Sequence, residues 1–298
     1  MTADAMTTDT PARFSDYLEL TKPRLSLLSV ITALVGYLAS RPPFIPVELL
    51  SVIIGTSLAA GGVASLNQWM ESETDAQMKR TAERPIPTGR VAPGSAFVLG
   101  WLMCVAALGI IFSNVNGLAA FFTLLTITAY LGWYTPAKSR SRWSTEIGAL
   151  AGAFPPLIGW ASGEGRISAL GWILFGILFF WQIPHFMAVA WTHRRDYAAV
   201  HFPMLPVRDE SGRRVAAWAL ANTVALVGVS TLPWFLGLAG RCYFGTSLLA
   251  GAWFLWRAVR FVGAENRDLA ARKLFLTSIA YLPLLLGALV VDRVIFLP

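Results

Sequence analysis

What most restricts this chain is a succession of nine apolar runs, near residues 25–40, 47–70, 95–113, 116–134, 146–162, 168–190, 214–238, 244–261 and 273–295, joined by short polar connections. Apolar runs of about 20 residues cross a bilayer as helices. In lipid a backbone has to satisfy its own hydrogen bonds, which leaves the helix as the form such a run can take. The expected architecture is therefore all-α: a polytopic membrane protein of about nine transmembrane helices, with a disordered cytoplasmic start at residues 1–15 and a single transmembrane domain over 16–298. None of the connections is long enough to enclose a core of its own. The composition agrees, with 55% hydrophobic and 14% charged residues and a mean hydropathy of +0.57. The fifth run holds Gly148, Gly152, Pro155, Pro156 and Gly159, so it is expected to pack closely through its small residues and to kink or break at its prolines.

Charge gives the orientation. Twenty of the 24 Lys and Arg residues precede the first run or fall in alternate connections, while Arg41, Arg166, Arg241 and Arg293 lie at the opposite ends. Basic residues gather on the cytoplasmic side, so the N-terminus is expected inside and the C-terminus outside, periplasmic if the membrane is a bacterial inner one. The net charge of +7 is thereby accounted for by topology and by attraction to membrane lipid headgroups, and no nucleic-acid partner is expected. Residues 1–15, with Asp4 and Asp9, have neither the apolar core of a signal peptide nor the Arg-rich, acid-poor character of a transit sequence. Cys104 and Cys242 match no metal-ligand or redox spacing.

The polar stretch from Asn67 to Arg90, NQWMESETDAQMKRTAERPIPTGR, is where chemistry is expected. Asn67, Glu71 and Asp75 recur every fourth residue and so share one face of a helix leaving the membrane. All three offer oxygen, and Mg²⁺ is typically bound through one or two carboxylates plus the phosphate oxygens of a substrate. Lys79, Arg80, Arg84 and Arg90 follow at once and suit the remaining phosphate charge. A bland alternative is a solvated helix end with ion pairs four residues apart. Against it, Arg84-Pro85-Ile86-Pro87-Thr88-Gly89-Arg90 is a stiff turn, because each Pro fixes φ and removes a donor.

A second constellation lies between the sixth and seventh runs, where His185, His193, Arg194, Arg195, Asp196 and Tyr197 follow one another. Asp196 is a candidate second metal ligand facing Asp75, and Arg194 or Arg195 a phosphate or carboxylate clamp. His185, next to Pro184, is a candidate haem ligand or base, set against a packing role. Both loops carry prolines ten residues after the Asp, at Pro85 and Pro206, the trace of an internal repeat. Lys138, in Tyr134-Thr135-Pro136-Ala137-Lys138, adds a cation that serves equally as a topology anchor.

These segments carry a resemblance. Asn67, Glu71, Asp75, Arg80-Thr81, Arg84-Pro85, Pro87 and Gly89-Arg90, then Tyr134-Thr135-Pro136 with Lys138, GALAGAFPPLIGW over 148–160, Pro184-His185-Phe186 and Asp196-Tyr197 before Pro203-Met204-Leu205-Pro206, are similar to the UbiA-like intramembrane prenyltransferase superfamily. Within it the chain resembles the haem O synthases, the protohaem IX farnesyltransferases, with Glu71 where Asp is usual and His193-Arg194-Arg195 before the second Asp. The resemblance implies Mg²⁺-dependent transfer of farnesyl from farnesyl diphosphate to a vinyl group of haem B, with water added. It implies metal ligation by Asn67, Glu71, Asp75 and Asp196 and diphosphate binding by Lys79, Arg80, Arg84, Arg90, Lys138, Arg194 and Arg195. His185 and Tyr197 would face the haem, and haem A synthase or a terminal oxidase would be the partner receiving the product.

Three other readings compete: a prenyltransferase acting on a quinone precursor or other aromatic, a secondary transporter, and a non-enzymatic oxidase assembly factor. The Pro184-His185-Phe186 and Asp196-Tyr197 segments weigh against the first. Transporter sites sit near mid-membrane, whereas these carboxylates cluster with cations at one boundary. Magnesium-dependent turnover separates an enzyme from an assembly factor.

Overall fold

The structure, a computed structural model, describes residues 12–296. The described residues form helices and connections with no strand. A short helix α1 (Phe14–Leu20) precedes α2 (Pro23–Ser40) and α3 (Pro46–Met70), and a separate turn of helix α4 (Ser72–Gln77) follows. Then come α5 (Pro93–Asn114) and α6 (Gly117–Thr128), a π-helical segment over Ala129–Tyr134, and α7 (Thr135–Arg140). The remainder is α8 (Ser144–Gly152), α9 (Pro155–Glu164), α10 (Ala169–Thr192), α11 (Arg194–Ala199), α12 (Leu205–Arg208), α13 (Arg213–Phe235), α14 (Arg241–Val262) and α15 (Arg267–Val291). Helix α1 opens inside the stretch 1–15 expected to be disordered; residues 1–11 of that stretch lie outside the described residues.

Among the described residues seven helices are long and apolar enough to cross a membrane: α2, α3, α5, the joined segment 117–140, α10, α13, and α15 with its continuation to Phe296. The other two expected spans take different forms. The fifth is broken into α8 and α9 at Ala153-Phe154, where Pro155 and Pro156 supply the first turn of a new helix. The eighth, α14, is a continuous 22-residue helix interrupted by Arg257 and Arg260. Where α2 crosses α9 the backbones all but touch: a Cβ added at Gly36 would stand 2.1 Å from the Pro156 carbonyl oxygen, and one at Gly159 1.7 Å from that of Ala33. Such approach replaces the hydrophobic drive that helices lack in lipid with van der Waals contact.

Larger side chains fill the other half, where Trp181, Phe254, Phe261 and Tyr281 are buried among α10, α13, α14 and α15. At the end remote from Asp75, buried Asp292 accepts the Tyr243 backbone N–H at 2.7 Å and so caps α14. Arg293 donates to the Ala39 carbonyl at 2.9 Å, tying α15 to α2. The polar ends of α3, α7, α10 and α11 meet at the opposite end of the bundle.

Candidate functional site

The i, i+4 spacing of Asn67, Glu71 and Asp75 survives the end of α3. Glu71 leaves helical geometry, at φ −104° and ψ 9°, yet its N–H still bonds the Asn67 carbonyl at 3.0 Å and the Asp75 N–H bonds the Glu71 carbonyl at 2.7 Å. Asn67 and Asp75 are buried, each 1% exposed. Burial of an anion is tolerated only beside a cation, and each carboxylate has one. Lys138 Nζ stands 2.8 Å from Glu71 Oε1 and 2.9 Å from Oε2, while Arg84 Nη1 donates to Asp75 Oδ2 at 2.5 Å. Lys138 also lies over the Tyr134 ring, 4.5 Å from its centroid, and Tyr130 packs edge-on against Tyr134. Asn67 Nδ2 donates to Thr135 Oγ1 at 3.2 Å, which fixes α3 to the start of α7.

A third cation was not among the expected site residues. Lys22 Nζ donates to Asn67 Oδ1 at 3.2 Å from the turn before α2. Its backbone sits in the left-handed region, at φ 46° and ψ 59°, a conformation uncommon for a side chain other than Gly and held here just before Pro23. Burial, with repulsion from Arg84 and Lys138, lowers the Lys22 amine to about 7. The only sequence signal for it is a lysine in the Thr21-Lys22-Pro23-Arg24 turn before the first span, and nothing in that turn points it toward Asn67. Asp75 moves the other way: burial raises its carboxyl above the usual range, and Arg84 only partly opposes this. Its Oδ1 is buried without a partner among the described residues. With Glu71 and Asn67 it makes an oxygen donor set that a hard divalent cation fits.

Several expected site residues are engaged elsewhere. Arg90 Nη1 pairs with Asp16 at 2.5 Å and Glu19 at 2.9 Å, and Nη2 bonds the Glu83 carbonyl, so it clamps the loop to α1 rather than facing phosphate. Arg194 lies over Trp191 and bonds the Trp191 carbonyl and Asp268, locking the second loop to α15. Asp196 does not join Glu71 and Asp75: its Oδ2 is 3.6 Å from His193 Nδ1 one turn back, and among the described residues no three His, Cys, Asp or Glu side chains converge. Arg80 donates to the Tyr197 hydroxyl at 3.0 Å, so the two loops meet at a residue from each constellation. Lys79 and Arg195 are exposed. His185 Nδ1 is 2.7 Å from Ser278 Oγ, and its ring stacks on Trp181 and meets Phe275, between α10 and α15.

A helical membrane bundle with two neutralised carboxylates buried at one polar end defines a class, and sequence comparison gives it a name. Residues 29–279 match the UbiA prenyltransferase family, and the chain, an integral membrane protein, belongs to that family. Within it the relatives are protoheme IX farnesyltransferases. That of Opitutus terrae is 68% identical over 282 residues, 95% of this chain and 96% of its own length. That of Solibacter usitatus is 42% identical over 93% of this chain and 98% of its own. The chain is a member of that group. Solved structures share the fold: one of digeranylgeranylglyceryl phosphate synthase has TM-score 0.80 and 17% identity, covering 94% of this chain and 98% of that one. A UbiA homologue from Archaeoglobus fulgidus, bound to DMAPP and Mg²⁺, has TM-score 0.70 and 13% identity over 92% of this chain and 99% of its own.

Proposed function

We propose that this prenyltransferase moves a farnesyl group from farnesyl diphosphate to a vinyl group of haem B, with water adding to give haem O. The carrying observation is the buried cluster of Asn67, Glu71 and Asp75 with three cations, Lys22, Arg84 and Lys138, drawn onto it from three segments. Its membership among protoheme IX farnesyltransferases supplies the substrate class.

Asp75, Glu71 and Asn67 would hold Mg²⁺, which when bound neutralises diphosphate and assists its departure as a Lewis acid. A diphosphate arriving there offers Lys138 and Arg84 a new anion, and Lys22, whose amine burial and the neighbouring cations hold below its usual range, would be drawn to its charged form. Arg80 stands at the loop margin, a further phosphate ligand once it leaves Tyr197; Lys79 and Arg195 are free to add charge from the surface. Asp196, Arg90 and Arg194 are left out of this set. As the carbon–oxygen bond breaks, an allylic cation forms beside the departing diphosphate, whose negative charge Lys138 and Arg84 take up. The haem vinyl carbon attacks that cation, and water captures the resulting porphyrin-stabilised cation, losing a proton to solvent. His185, its Nδ1 committed to Ser278, keeps Nε2 for the haem iron, and Tyr197 is the other haem-facing candidate.

The polar end would face the cytoplasm of a bacterial inner membrane, with the C-terminus periplasmic, and haem A synthase or a terminal oxidase would take the product. The test is turnover of haem B with farnesyl diphosphate by purified protein, with and without Mg²⁺, beside Asp75→Ala. Farnesylated haem that needs Mg²⁺ and disappears in the variant is expected. Folded wild-type protein that binds haem but yields no such product would overturn the assignment.

A further inference from the structure

Helix α14 differs from the other long helices. It packs against both α13 and α15, yet it is not among the seven apolar enough to cross a membrane, because Arg241, Arg257 and Arg260 interrupt it. Its outer face is otherwise lipid-like, with Leu249, Trp253 and Trp256 exposed. Arg257 is the anomaly on that face. Its Nε is buried with no acceptor among the described residues, and its guanidinium lies 4.3 Å from the centroid of the Trp256 ring. The rest of the guanidinium, which is not buried, also makes no hydrogen bond or ion pair among the described residues, and a cation at this depth is rarely left unpaired, so an acceptor from outside the chain is the natural partner of its accessible nitrogens.

Two more cations follow toward the same end of the helix pair. Helices α14 and α15 are antiparallel across a short turn, with Phe254 against Tyr281 at 5.2 Å between ring centroids. Counting from that contact toward the turn, Arg257 rises about 4.5 Å, Arg260 about 9 Å and Lys273 about 12 Å. The acids nearby do not neutralise them. Asp268 is spent on Trp191 Nε1 and Arg194, and no ion pair reaches Arg257, Arg260 or Lys273 among the described residues.

We propose that Arg257, Arg260 and Lys273 form a binding site for the phosphate of an anionic phospholipid, with Trp253 and Trp256 against its acyl chains. The site lies on the outer flank of α14 and α15, in the leaflet on the same side as Asp75. Trp rings and long cationic side chains belong at headgroup depth, where the cations meet phosphate and the rings meet both headgroup and chain. Free phosphate would use only the cations and leave the aromatic face idle, which is why the occupant is a lipid.

The test titrates the full-length protein, purified in zwitterionic detergent, with phosphatidylglycerol, phosphatidylcholine or inorganic phosphate, reading bound lipid by native mass spectrometry and Tm alongside. Phosphatidylglycerol is expected to be retained at least about tenfold better than phosphatidylcholine and to raise Tm, with no effect of phosphate alone. Arg257→Gln combined with Lys273→Gln abolishes the preference, whereas Arg140→Gln combined with Arg142→Gln, an exposed basic pair elsewhere on that side, keeps it. An unchanged preference in the first pair, an equal loss in the second, or a shift reproduced by phosphate alone overturns the proposal. If the first pair does not fold, Arg260→Gln in the same titration decides, since undiminished preference there refutes the site.

Discussion

Replacing Lys138 with Met tests whether the carboxylates at the polar end are charge-balanced in pairs. The methionine keeps an unbranched stem against Tyr134 but removes the charge 2.8 Å from Glu71, whose side chain is only 13% exposed, as Lys138 itself is 16% exposed. Stripping one partner from a fully buried pair costs about 3–5 kcal/mol, since the remaining charge is left uncompensated. The residual exposure of Glu71 and the neighbouring amine of Lys22 reduce this to about 2–3 kcal/mol. For a chain of this size that is a fall in Tm of roughly 3–5 °C. Adding Glu71→Gln to Lys138→Met leaves a neutral contact and restores stability to within about 1 kcal/mol of wild type. Turnover is lost in both variants, because each lacks a group assigned to the substrate's diphosphate or its metal. Thermal unfolding in one fixed detergent reads the first effect and product formation the second. A single variant melting within a degree of wild type, or a double variant no more stable than the single, would refute the pairing argument.

Two further outcomes follow from particular contacts. Gly159→Ala sets a methyl group 1.7 Å from the Ala33 carbonyl oxygen, a backbone atom that moves only if α2 and α9 part; a loss of about 3 kcal/mol is expected, and a Tm equal to wild type would contradict the close crossing. Asp16 is held below the usual carboxylate range, first by the Arg13 backbone N–H and then by Arg90. A depressed folded value contributes stability that is present above the unfolded value and lost as pH falls through the folded one. Asp16→Asn is therefore expected to lower Tm at neutral pH and to flatten its decline on acidification below about pH 4, and a decline as steep as that of wild type would show the contact to be idle.

The helical character and the first cluster were legible because both are local. Apolar runs declare spans, and Asn67, Glu71 and Asp75 declare a shared face by their spacing alone. The break in the fifth span was legible too, from Pro155 and Pro156. What spacing does not carry is the partner of a cation. Arg84 and Arg90 look alike in the sequence, but one meets Asp75 nine residues away and the other reaches Asp16 across 74. Arg194 likewise finds Asp268 across 74 residues, and Lys22 finds Asn67 across 45. Those distances are closed by packing of helices that a linear reading treats independently, so spacing reveals neither the partners of Arg90 and Arg194 nor the contact of Lys22 with Asn67. Asp196 is a related case: α11 turns it toward His193 one turn back, and the sequence shows only that a carboxylate is present.

The π-helical turn over Ala129–Tyr134 gives this part of the chain one residue of slack. A π turn holds one residue more than the α-helix around it, so a one-residue deletion within it relaxes the turn to α geometry and leaves the helix on either side in register. Lys138 would stay with Glu71, and Thr135 with Asn67. A one-residue insertion or deletion at Pro136 or Ala137, in the α-helical stretch, has no such slack: Lys138 would rotate by about 100° and shift about 1.5 Å along the axis, away from Glu71. A length change there should therefore cost as much as replacing Lys138 itself, although neither of those two residues carries a charge.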